Sequence, residues 1–471
     1  MSTKIYRCQK ASTDYPHLKR GKVMIQTAYN ETYRPQFHFT PKTNWTNDPN
    51  GLIYYKGEYH LFFQHNPTGI NWGNMTWGHA VSRDLVHWKQ LPHAIHPDEL
   101  GTIFSGSGVV DWNNTAGFQT GDESVLVAFY TSAGNHAPEP VPFTQSIAYS
   151  NDRGRSWTKY EGNPVIEHIV ASNRDPKVIW HEPTNKWVMT LFLDGNDFAF
   201  FGSTNLREWE RLSDIKIPDG ECPDIFELPV DDDPDNTKWV FWGAGGKYYV
   251  GDFDGTTFTP DGESHRADYG ANFYAAQTWS DIPDSDGRRL QIAWMNGSNP
   301  PEMPFNQQMS FPCVLTLRTT SDGIRLHREP VEEIVNIHDY THAWSNVPLN
   351  PDENLLDGLT GELFDIRAEI ELNDASAIGF KIRGQDVRYS VEEKQLTFLE
   401  RSGPLTSQDG KIQLQILVDR ISIEAFGNAG ALSMTSYFVP DLDNADIGIY
   451  SEGGSATIAS LKIHELKSSW V

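Results

Sequence analysis

Short apolar and aromatic runs, broken by Gly, Asp, Asn and Pro, fill the chain from Tyr54 onward. Glu58–Phe63 (EYHLFF), Ser124–Tyr130 (SVLVAFY), Lys186–Leu193 (KWVMTLFL), Lys238–Trp242 (KWVFW) and Leu290–Met295 (LQIAWM) are typical. Runs this short, rich in aromatic and β-branched residues and bounded by turn formers, predict strands. No stretch before residue 330 carries the 3.6-residue period of an amphipathic helix. Residues 1–33 are polar and carry no clear period.

A faint repeat runs through the strand-rich part. Ser82-Arg83-Asp84-Leu85-Val86-His87-Trp88 resembles Ser150–Trp157 (SNDRGRSW) and Ser203–Trp209 (STNLREW), and Gly251–Phe258 (GDFDGTTF) is a degenerate copy. Each predicts a hairpin: a small residue ends one strand, a polar turn follows, and an aromatic opens the next. The closing aromatics fall roughly 50 to 70 residues apart, near the span of a four-stranded propeller blade. With a less marked cluster around 270–318, the copies give five blades. Generic hairpins in a large sandwich are the alternative.

After residue 345 alternating strands resume at Phe364–Leu372, Ala377–Arg383, Leu396–Arg401, Ile412–Asp419, Ser422–Ala425 and Ile447–Tyr450, the pattern of a β-sandwich. The expected fold is therefore all-β, a five-bladed β-propeller followed by a C-terminal β-sandwich. The expected division is an extension over 1–33, the propeller over 34–328, a connector with a possible helical turn over 329–345, and the sandwich over 346–471. A length of 471 residues suits two or three domains.

Charge narrows the partners. Lys and Arg number 38 against 63 Asp and Glu, a formal charge of −25. Such a surface repels nucleic acid and anionic lipid, so neither is expected as a partner. No apolar run has the length of a membrane span, and the start, Met-Ser-Thr-Lys-Ile-Tyr-Arg, lacks the apolar core of a signal peptide. The chain as given is expected not to be exported, although a secreted parent whose signal was removed would look the same. Cys8, Cys222 and Cys313 are too few and too scattered for a disulfide framework or a zinc site. No cofactor or metal is expected. The 15 Trp, 18 Tyr and 24 Phe suit strands, and some of their faces can stack on sugars. The oligomeric state is not legible; a sandwich-mediated homodimer is one option.

Candidate chemistry lies in three short motifs, each expected to hold an acid on a turn. Asp48 sits in Trp45-Thr46-Asn47-Asp48-Pro49-Asn50-Gly51, dense in turn formers. Neutral hydrogen-bonding groups suited to sugar hydroxyls surround it in sequence: Asn47, then Gln64, His65 and Asn66. Asp175 sits in Arg174-Asp175-Pro176. Neighbours in extended chain point opposite ways, so this pair need not be an ion pair; either it is a strand-end pair, or both groups hold hydroxyls of one sugar. Glu221 sits in Asp219-Gly220-Glu221-Cys222-Pro223-Asp224, before apolar Ile225-Phe226. A Glu beside apolar bulk and other acids holds its proton more readily, as a proton donor requires. Two acids facing each other across a sugar ring suffice to break a glycosidic bond. If the three meet in space, the chain is a glycosidase. Phosphate loops, His-Glu-x-x-His and nucleophile elbows are missing from the sequence.

From about Tyr33 onward the chain resembles glycoside hydrolase family 32, the β-fructosidases. Tyr33–Pro41 and Trp45–Gly51 resemble the family's opening signature. Phe62–Pro67, Trp72–His79, Phe104–Ser107, Arg174–Pro176, Glu221–Pro223 and Ser422–Asn428 resemble its later elements, in the family's order. The resemblance implies a five-bladed propeller with a β-sandwich. It implies Asp48 as nucleophile, Glu221 as general acid/base and Asp175 as transition-state stabiliser. Asn47, Gln64, Trp72, Ser105 and Arg174 would line a pocket for a terminal fructose, with Phe104 and Trp294 as apolar walls. The implied reaction is retaining hydrolysis of β-fructofuranosyl bonds in levan or inulin, with sucrose also split. A fructosyltransferase, or a catalytically silent carbohydrate-binding protein, would use the same scaffold. Two positions depart from the pattern: Asn272 stands where many relatives carry an acid that could tune the proton donor, and Cys313 where many carry Arg.

Overall fold

The computed structural model describes residues 29–218 and 220–470. Most of the expected extension, Cys8 and Asp219 lie outside the described residues. Among those described, the protein is nearly all-β. One antiparallel sheet runs Asn44–Tyr55, Glu58–Asn66, Thr76–Ser82, Trp88–Ile95 in chain order. A second takes Thr102–Asp111, Val125–Ala133, Thr144–Ser150 and Thr158–Lys159, and a third Arg174–His181, Lys186–Asp194, Asp197–Ser203 and Glu210–Lys216. Asp224–Val230, Asp233–Trp242, Lys247–Phe253 and Phe258–Pro260 repeat the pattern. They are joined through the parallel pair Val230–Leu317 to a set built on Tyr274–Thr278, Arg289–Met295, Cys313–Thr320 and Gly323–Pro330. The opening strands of neighbouring sets pack against one another, so these propeller-like sheets share an axis.

The repeated motif is a hairpin between the third and fourth strands of the first four sets. In the first copy the Asp84 carboxylate accepts the Val86 and His87 N–H groups, Leu85 is left-handed at φ 64°, and the Trp88 indole donates to the Leu85 carbonyl. Asn205, Leu206 and Trp209 reproduce it. The degenerate copy keeps the carboxylate cap, Asp254 on Thr256 and Thr257, and the left-handed residue after it, Gly255 at φ 87°, but closes on Phe258, which has no indole to donate.

The C-terminal part is a six-stranded and a five-stranded sheet over one apolar core, with Ile366, Ile416 and Ile423 facing Phe380, Leu396 and Ile449. Two local expectations change. Within 329–345, Glu332–Ile337 is a 3-10 helix, the expected helical turn, but His338–Leu349 is a strand paired along Ala456–Leu466. Leu396–Arg401 is not one strand. Leu399 and Glu400 are both left-handed and turn the chain between Gln395–Phe398 and Arg401–Pro404; two successive positive φ values make a tight hairpin without glycine.

A buried polar clasp joins the two parts. The His38 imidazole lies between Asp419 (2.9 Å) and Glu424 (2.7 Å). Asp419 also accepts the backbone N–H groups of Gln36 and Phe37, and Glu424 those of Phe311 and the Thr435 hydroxyl. Burial alone would push the His38 pKa down; the two carboxylates outweigh it and raise it to about 9. The ring is therefore a cation bonded at both nitrogens. Its stabilisation is complete below the unfolded value near 6.5 and is lost as pH rises through about 9. His38→Ala strands two buried carboxylates and is expected to cost about 3–5 kcal/mol. The gap between the unfolding midpoints of wild type and variant should narrow as pH rises through about 9; a gap that stays constant with pH would contradict a charged clasp.

Candidate active site

Bulges, not turns, aim two of the three acids. Asp48 lies inside the strand Asn44–Tyr55, where the pairing with Glu58–Asn66 slips between Thr46 and Pro49. Asp175 lies inside Arg174–His181 at φ 63°, beside a slip between Thr190 and Phe192. Phe104 and Ser105 occupy a third slip, between Ile103 and Gly106. A bulge frees residues from the ladder and redirects them, so turn-rich text is housed within strands. Only Glu221 precedes its strand, Asp224–Val230. Two glycines permit this geometry. A Cβ on Gly51, at φ +53°, would meet Phe62 and Trp77; one on Gly106 would lie 1.9 Å from the Phe129 carbonyl oxygen.

The three acids converge. Asp48, Asp175 and Glu221 line one cavity of about 400 Å³ together with Asn47, Gln64, Trp72, Phe104, Ser105, Arg174 and Trp294. Every residue that the family resemblance implied for this pocket therefore lines it, whereas His65 and Asn66 do not. Ser105 Oγ donates to Asp48 Oδ2 at 2.5 Å, and Asn47 Nδ2 to Asp48 Oδ1 at 3.0 Å. The Trp45 indole holds Asn47 through Oδ1 at 2.8 Å. Burial raises the Asp48 pKa, and the Ser105 and Asn47 hydrogen bonds oppose it.

Arg174 pairs with Glu221 through Nε at 2.9 Å and through Nη2, whereas its distance to Asp175 is 3.6 Å. The left-handed backbone at Asp175 breaks the strict alternation expected of an extended pair. Burial dominates and raises the Asp175 pKa; Arg174 favours the ionised form and opposes the rise, and Glu221 and Asp48 add to it.

Several site residues lay beyond the sequence. Cys222 Sγ sits 3.4 Å from Asp175 Oδ2 and 3.7 Å from Asp48 Oδ2, and its N–H donates to Asp175. The Tyr274 hydroxyl donates to Glu221 Oε1 at 3.0 Å. Asn135, His136, Phe143 and Ser172 complete the cavity wall. Cys222 and Tyr274 lie in motifs that drew attention for other residues; the Asn135-His136 loop gave no signal. Conversely, His65 is spent on the Trp45 carbonyl, and Asn66 on Asn71 and Thr68. Asn272 bonds the Asn296 carbonyl and the Tyr437 N–H, and thus ties the site's wall to the sandwich. Cys313 is fully buried, its thiol on the Phe311 carbonyl.

Paired carboxylates beside hydroxyl-seeking amides and aromatic walls define a glycoside hydrolase pocket. The chain matches the glycosyl hydrolases family 32 N-terminal domain over 38–330 and the family's C-terminal domain over 333–465. A levanase of Bacillus subtilis (strain 168) is 44% identical across 94% of this chain and 72% of its own length. An extracellular exo-inulinase of Aspergillus ficuum is 34% identical across 94% and 96%. The crystal structure of an Aspergillus awamori exo-inulinase superposes with a TM-score of 0.85 at 32% identity, covering 94% of this chain and all of that one. The chain belongs to glycoside hydrolase family 32.

Proposed function

We propose that this glycoside hydrolase removes terminal β-D-fructofuranosyl units from levan or inulin and also splits sucrose. The convergence of Asp48, Asp175 and Glu221 in one pocket carries the reading. The levanase and exo-inulinase names of its relatives support the substrate class. We further assign five blades, one to each four-strand set, within 34–328, and the sandwich to the remainder after the connector.

Asp48 attacks the anomeric carbon, and the bond to the leaving oxygen breaks as Glu221 protonates it. Glu221, now deprotonated, takes a proton from water, which attacks the fructosyl-enzyme and frees Asp48. Asp175 faces the ring as positive charge develops. Its burial disfavours its charge in the empty site, and the same low dielectric strengthens its attraction to a cationic ring. Gln64 Nε2 is buried without a hydrogen-bond partner among the described residues, a donor left for a sugar hydroxyl. Below the acids, Lys177 and Asp224 (3.1 Å) close the axis, with Lys177 also on the Thr278 carbonyl at 2.9 Å. The exo-inulinase name of a relative supports exo-action.

Rapid NMR of early turnover on sucrose is expected to show β-fructose as the first anomer. An inverted first product would overturn the nucleophile assignment. Transfer to a second sugar uses the same intermediate, and product profiles at high sucrose separate the two outcomes.

A further inference from the structure

A second cavity, of about 250 Å³, opens at the far end of the strands that build the catalytic pocket. Its wall includes Val109, four positions beyond Ser105, and Ile179 and Trp180, four and five beyond Asp175. At about 3.3 Å per residue this places it roughly 13–17 Å deeper along the axis. The Lys177–Asp224 pair lies between the two cavities.

The walls are aromatic and polar at once. Trp180 and Trp187 meet edge to face at 5.1 Å, and Trp239 stands across from them, packed on His181 and Phe253. Arg289 lies over Phe226 at 5.4 Å, and its Nε is buried with no hydrogen-bond partner among the described residues. Glu227, Asp281 and Ser280 add acceptors. Trp112, 54% exposed, donates to Asp281 at 2.8 Å.

Charge selects the ligand. Arg289 and Lys177 face three carboxylates, Asp224, Glu227 and Asp281, so an anion gains no net attraction. A cation would meet the Arg289 guanidinium on the cavity wall, and the carboxylates are already engaged: Asp224 by Lys177, Asp281 by the Val110 N–H and the Trp112 indole, and Glu227 by the Thr237 hydroxyl. Flat indoles with a forked donor and nearby carboxylates suit a neutral ring bearing hydroxyls. The volume lies below that of drug-sized sites, enough for a single sugar unit.

We propose that this cavity is a non-catalytic binding site for one neutral sugar unit, which holds a fructan chain to the face opposite the active site. The choice of fructan rests on the functional reading above; the sugar class rests on the cavity.

The test uses the full chain carrying Glu221→Gln, which leaves the polymer intact, in native gels cast with levan or inulin. Retardation is expected, and adding Trp239→Ala should weaken apparent affinity at least about fivefold, roughly 1 kcal/mol. Glu227→Ala, at an exposed position, is a second variant that spares the core and should weaken it in the same direction. In active enzyme, both changes should raise KM for the polymer and leave kcat/KM on sucrose within about twofold. Parent-like retardation and parent-like polymer KM in both variants would overturn the inference while leaving the functional reading in place. No fructan hydrolysis by the unaltered enzyme would strike the functional reading, and with it fructan as the ligand.

Discussion

Asp48→Asn is expected to lower kcat/KM on sucrose and on fructan by roughly 10⁴-fold or more, because the amide cannot serve as the nucleophile proposed for this position. That is about 5–6 kcal/mol of lost transition-state stabilisation. The fold should not suffer. Burial raises the Asp48 pKa, and the Glu221 charge pushes in the same direction. An ionised carboxylate held above its ordinary pKa costs stability at neutral pH. The amide removes that cost, keeps the shape, and can still accept from Ser105 Oγ. The expected pattern is therefore near-complete loss of activity with an unfolding midpoint equal to or above wild type. A purely structural role would give the reverse: partial activity with a lowered midpoint. Activity within tenfold of wild type would remove Asp48 from the nucleophile position.

The acids were legible in the sequence because catalysis constrains short, contiguous text. Asn-Asp-Pro-Asn-Gly and Arg-Asp-Pro are unusual strings, and their order along the chain matches a known family. Their setting was not legible. Text dense in Asn, Asp, Pro and Gly reads as a turn on local chemistry, yet Asp48 and Asp175 lie within strands. The neighbouring strand decides this, by slipping register at Pro49 and Phe192. Arg174 shows the same limit. Its sequence neighbour is Asp175, but its closest carboxylate belongs to Glu221, in the loop that leads into another sheet. The strand pattern survived well because aromatic runs bounded by turn formers mark individual hairpins. The Leu399-Glu400 turn was missed because neither residue is a usual bearer of positive φ. The clasp at His38 was invisible for a simpler reason: its partners lie more than 380 positions away.

Glu221→Gln tests the other half of the chemistry and should fail differently. Proton donation and removal by one group contribute about 10²–10⁴-fold, so a smaller loss than for Asp48→Asn is expected. Gln cannot protonate the leaving oxygen, nor take a proton from water, yet Asp48 can still attack. Slow turnover should then pass through a fructosyl-enzyme that water intercepts poorly. Azide needs no general base, so adding it should divert product to β-fructosyl azide in the variant and much less in wild type. The environment favours this readout. Glu221 Oε1 takes the Tyr274 hydroxyl at 3.0 Å and Oε2 takes Arg174, and the amide oxygen can keep one of these bonds. If Arg174→Lys alone reproduced the same azide product and the same loss, the two groups would act only as a positioning pair. An azide product of inverted configuration would show direct displacement from the sugar, with Asp48 never bonded to it. A β product requires two displacements, the first of them by a group on the face opposite the leaving oxygen, and Asp48 is the acid the pocket offers there.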